Sequence, residues 1–93
     1  MTPARIERVQ TGLRLERRVV QVLKALAAYY ELPMGDLVEG ILLHAFEGKA
    51  PFSEASLERI AKLRDVYGLD LTAEDSHRLA EDPPAAADAA TGR

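Results

Sequence analysis

Residues 8–46 read RVQTGLRLERRVVQVLKALAAYYELPMGDLVEGILLHAF, and two periodicities meet inside that stretch. Val9, Thr11, Leu13 and Leu15 alternate with Arg8, Gln10, Gly12, Arg14 and Glu16, the period-2 pattern of a short half-buried strand. From Arg17 the period becomes 3.6: Val19, Leu23, Leu26 and Tyr30 step along one helical face, which Val20, Val22 and Ala27 widen. Pro33 disfavours helix at Leu32, so this helix is predicted over 17–30. A second is predicted over 33–47, with Pro33 in its first turn and Gly48 as its stop.

The strand has no second strand nearby in the chain. Its backbone donors and acceptors therefore need a partner, and the same strand of a second copy is the expected one. The second helix points the same way. Leu37, Val38, Ile41, Leu42, Ala45 and Phe46 form its main stripe and Leu43 extends it, so it is apolar on more than one side. Such a helix is normally buried among several neighbours. A chain of 93 residues buries little of its own surface, yet 47% of its residues are hydrophobic. The expected dimer core is Leu13, Leu15, Val19, Leu23, Leu26, Leu37, Val38, Ile41 and Leu42.

Outward from this core, residues 1–7 read as a flexible arm and 8–48 as the dimerisation domain. Residues 49–80 form a helical extension. Ser53 is placed to cap a helix over 54–67, built on Leu57, Ile60, Ala61, Leu63, Val66 and Tyr67 and stopped by Gly68. Thr72 and Asp75 suggest a capping arrangement for a brief helix to about Ala80. Residues 81–93, EDPPAAADAATGR, have no packing pattern and are expected to be a disordered tail.

Net charge is −3, but it is unevenly spread. Residues 1–24 carry six bases and two acids, a balance of +4, whereas 25–49 and 50–93 carry −3 and −4. A dimer would present the basic end twice. With no cysteine, disulfides, thiolate metal sites and cysteine catalysis are excluded. No apolar run reaches the roughly 20 residues of a membrane span, and the N-terminus has no signal-like hydrophobic region. A cytoplasmic protein with no membrane partner is expected. His44 and His77 lack companions at ligand spacing, and no phosphate loop, nucleophile elbow or catalytic carboxylate pair is present. No enzyme activity, metal or cofactor is expected.

Strand, helix, turn and helix within about 40 residues resembles the ribbon-helix-helix repressors, the family of Arc, CopG and MetJ. The resemblance covers a little under half the chain and rests on the stretch quoted above. It implies a fold that is mostly α with one short β-strand: a homodimer joined by an intermolecular antiparallel β-ribbon, here with a C-terminal helical extension. It also implies that the ribbon enters the major groove of DNA and reads bases through Gln10, Gly12 and Arg14. Gln10 suits adenine and Arg14 suits guanine. Gly12 departs from the pattern, having no side chain to read with. The start of the second helix, at Met34 and Gly35, is implied to hold a phosphate through free backbone amides, with Asp36 in competition. Arg8, Arg17 and Arg18 are further candidates for phosphate contact. Arg17 and Arg18 oppose the dipole of the helix they open, a local cost that a phosphate would offset.

The expected function is therefore a homodimeric, sequence-specific DNA-binding protein acting as a transcriptional repressor. The alternative is a dimerisation or protein-interaction module without specific DNA binding. An antitoxin would combine the two, its residues 53–80 binding a protein partner such as a toxin.

Overall fold

The computed structural model describes residues 2–82 and shows three α-helices. They are α1 (Arg17–Tyr30), α2 (Met34–Phe46) and α3 (Glu54–Tyr67), followed by a single 3₁₀ turn at Ala73–Asp75. The tail expected over 81–93 lies, from residue 83 on, outside the described residues.

α1 begins on Glu16, whose carboxylate accepts hydrogen bonds from the backbone N–H of Arg18 and of Val19, at 2.8 and 3.1 Å. These are two of the amides that a helix start leaves without partners. The helix ends where Glu31 turns into the left-handed region (φ 57°). There the N–H of Leu32 reaches back to the Ala27 carbonyl at 2.9 Å, a closure usually built on glycine. α2 follows after only Leu32 and Pro33. Lys49 N–H donates to the His44 carbonyl past Gly48 (φ 73°), which ends it. Ser53 caps α3 by accepting from Ser56 N–H at 3.2 Å, and Gly68 (φ 66°) closes it.

α1 is the centre of the fold. Val22, Leu26 and Ala27 on α1 and Leu37 on α2 are buried, Leu26 to 1% exposure. Leu23, Met34, Ile41, Phe52, Ile60 and Leu63 pack around the cluster of Leu26, Ala27 and Leu37. α1 and α3 are also tied at both ends. Tyr30 hydroxyl bonds Ser56 hydroxyl, and the Arg59 guanidinium lies 4.0 Å from the centre of the Tyr29 ring. At the other end Arg18 Nη1 donates to the Gly68 carbonyl at 2.9 Å. The start of α1 thus meets the end of α3, so the two helices run antiparallel.

The structure corrects the expected fold class. Among the described residues there is no β-strand: residues 2–15 have no regular secondary structure. Among the described residues, no backbone–backbone hydrogen bond outside the helices involves them. The β-ribbon of the ribbon-helix-helix homodimer is therefore not seen among the described residues, which are predominantly α. The physical reason is that alternation assigns side chains to two faces but supplies no ladder. A strand exists only where a neighbouring backbone accepts and donates. The brief helix expected to Ala80 is likewise reduced to one turn, although its capping box of Thr72 and Asp75 is formed.

Candidate nucleic-acid interface

The candidate residues fall on three supports: the irregular segment 2–15, the first turn of α1 and the first turn of α2. Gln10, Gly12 and Arg14, the expected base readers, are all exposed. Among the described residues nothing lies within 4 Å of where a Cβ on Gly12 would stand, so no close approach by them accounts for glycine there. The apolar residues that alternate with them are exposed too, with Leu13 at 72%.

The structure gives three of the arginines carboxylate partners. Arg8 Nε donates to Glu39 Oε2 at 3.1 Å and its Nη2 to Glu39 Oε1 at 2.9 Å, a two-pronged fork onto α2. Asp36 Oδ1, one turn earlier on the same helix, is 3.6 Å from Arg8 Nη2. The hydrogen bond from Arg8 holds the Glu39 carboxyl below its ordinary range, and Glu39 in return raises Arg8. Arg14 Nη2 donates to Glu81 Oε1 at 2.9 Å. Arg18 donates from Nε to Glu16 at 2.9 Å and from Nη1 to Asp70 at 3.1 Å.

Glu16 explains how the chain tolerates two arginines at the start of α1. Partial burial pushes its carboxyl up. The hydrogen bond from Arg18 and the amides of Val19 and Arg18 outweigh that, and the carboxyl is held below its ordinary range. An ionised Glu16 at the positive end of the helix offsets the unfavourable cations beside it. Arg17 is exposed on the first turn, and among the described residues no carboxylate lies within ion-pair distance of it.

At the start of α2, Pro33 provides no side-chain cap, so the first amides, at Met34 and Gly35, have no bond from a capping side chain. The Met34 side chain packs against the core, which leaves only its backbone for an anion. Gly35 is exposed with open space around it. Asp36 stands in the same turn and adds negative charge where a phosphate would sit.

Of the expected dimer-core residues, Leu26 and Leu37 are buried, while Val19, Leu23, Val38 and Ile41 are partly covered. Leu13, Leu15 and Leu42 are exposed. Leu43 and Phe46 stand out further, at 66% and 79% exposure. The Glu16 cap and the acidic partners Glu39, Asp70 and Glu81 are residues that sequence reasoning missed. Glu16 stands one residue before the first helical position, but glutamate is not a favoured N-cap, so its position was the one signal of that use. The others lie 31 to 67 residues from their arginines and leave no trace in local spacing.

His44 turns back on its own helix, its Nδ1 2.8 Å from the Gly40 carbonyl. Among the described residues no helix is long and apolar enough to cross a membrane. Compared with known protein families, with curated proteins and with solved structures, the chain matches none.

Proposed function

We propose that this chain is a homodimeric DNA-binding protein, a cytoplasmic transcriptional regulator that meets DNA through its N-terminal segment and the start of α1. One observation carries the reading: five arginines (Arg5, Arg8, Arg14, Arg17, Arg18) fall within 14 residues, and all of them but the partly buried Arg18 are exposed. A cationic segment outside the core can follow a phosphate backbone once its arginines exchange their carboxylate partners for phosphates. Arg5 and Arg17 supply charge. Gln10 and Arg14 supply the groups that bond base edges. Gly12 between them supplies none, so sequence selectivity rests on two side chains. The second copy covers Leu42, Leu43 and Phe46, which a lone chain leaves in water.

The different reading, a protein-interaction module without specific DNA binding, is favoured by the carboxylates that already occupy Arg8, Arg14 and Arg18. DNA titrations of the wild type and Arg14→Ala at two salt concentrations separate the two. A regulator binds a selected genomic fragment over a scrambled one, loses affinity steeply with salt and loses its selectivity in Arg14→Ala. Equal, weak association with every fragment refutes the regulator and favours the interaction module.

A further inference from the structure

The arginines assigned to DNA are held by acids from three separate parts of the chain. Glu39 and Asp36 of α2 take Arg8, and Asp70 just after α3 takes Arg18. Glu81, beyond the 3₁₀ turn, takes Arg14. A carboxylate offers a guanidinium two oxygens in one plane, the same geometry that a phosphate diester offers, and the Arg8–Glu39 fork uses both. A guanidinium edge bonded to one of these acids is not open to a backbone phosphate.

These acids do little for the fold itself. The four side chains are at least 45% exposed, none belongs to the core, and ion pairs this open to water add little stability. Glu16 is different, because it also caps α1. What the outer four share is that each points at an arginine of the basic end. The acidic balance of residues 25–93 is therefore partly delivered onto the +4 balance of residues 1–24.

We propose that Asp36, Glu39, Asp70 and Glu81 act as phosphate mimics, so that α2 and the segment after α3 compete with DNA for the arginines and hold the affinity of the protein down. The inference rests on the DNA-binding reading above and adds a built-in restraint to it. DNA binding must break these pairs, and any partner that draws residues 70–81 away would tighten it.

The test is fluorescence anisotropy of a labelled mixed-sequence duplex of about 30 base pairs with the full chain, at low and moderate salt. Glu39→Gln should tighten binding by about two- to fivefold, and Glu39→Gln/Asp70→Asn/Glu81→Gln by on the order of tenfold. Glu58→Gln makes the same change in net charge on α3 and should shift affinity less than about twofold. In an Arg8→Gln background, Glu39→Gln should gain no more than Glu58→Gln does. Circular dichroism confirms that each variant keeps its helices. If the wild type binds and Glu39→Gln behaves like Glu58→Gln, the restraint is refuted while the DNA reading stands. If neither the wild type nor the triple variant binds, the DNA reading fails and takes the restraint with it.

Discussion

α1 and α2 are nearly equal in length, and the more apolar of the two is the less buried. α1, with three charged residues, buries Val22, Leu26 and Ala27. α2 carries Met34, Leu37, Val38, Ile41, Leu42, Leu43, Ala45 and Phe46, yet buries only Leu37. The difference lies in neighbours. α1 runs between α2 and α3, so its apolar stripe meets side chains from both. α2 has α1 on one side, and its C-terminal turns project into water. Hydrophobic residues supply the drive for burial but not the partner, and a chain this short cannot wrap every helix. Among the described residues, the apolar surface of α2 and of segment 2–15 is what these helices leave in water.

The largest effect should come from the side that is complete. Leu26 is the most deeply buried residue and sits where α1 meets α2 and the Ile60–Leu63 stretch of α3. Leu26→Ala removes buried methyl groups and leaves a cavity between helices that cannot all close on it. It should cost about 2–5 kcal/mol, a large share of the stability of a small domain. Urea unfolding followed by circular dichroism reads this as a lower midpoint at unchanged slope. A cost under about 1 kcal/mol would mean that the centre of the fold lies elsewhere.

The open side gives the complementary experiment. In a chain that functions alone, Phe46 at 79% exposure is a surface residue, and Phe46→Ser should change stability by no more than about 0.5 kcal/mol. In the proposed dimer it is covered, and the same change should cost about 1.5–3 kcal/mol. Light scattering should then report two chains for the wild type and one for the variant, and the unfolding midpoint of the wild type should rise with protein concentration. A wild-type monomer at micromolar concentration would remove the dimer from the proposal and leave α2 exposed for some other reason.

Which features the sequence disclosed follows the same division. The helices were legible because each has an apolar face with period 3.6 and terminators close at hand: Pro33 between the first two, Gly48, then Ser53 and Gly68 around the third. The β-strand was not there to be found. Val9, Thr11, Leu13 and Leu15 alternate convincingly, but no residue type in the segment can announce whether a ladder partner exists. The end of α1 was placed at the correct residue through Pro33, while the geometry that closes it is the left-handed Glu31, a conformation that a glutamate does not advertise. In the candidate site, the arginines were visible as a charge imbalance. Their carboxylate partners were not, because a pair such as Arg14 and Glu81 is made by the path of the chain and not by any local pattern.

The smallest effect concerns the point where the two regions join. Glu16 is the last residue before α1 and ties the irregular segment to the helix through Arg18, Val19 and, by way of Arg18, Asp70. Glu16→Gln keeps the shape and loses the charge, which should cost about 0.5–1 kcal/mol at neutral pH, the lower part of the range for an N-cap. Its pH dependence has a defined sign. Because the folded carboxyl is held below its ordinary range, the unfolded chain takes up the proton first as the solution is acidified. The contribution of Glu16 is complete above the unfolded pKa and is lost as pH falls through the lower folded value. Glu39, depressed by Arg8, loses its share in the same direction. Acidification should therefore destabilise the wild type more than Glu16→Gln, and the two unfolding curves should draw together without the loss vanishing in the variant. Identical losses in both proteins would show that the Glu16 carboxyl is not held below its ordinary range in the folded chain, and that some other group lets α1 begin on two arginines.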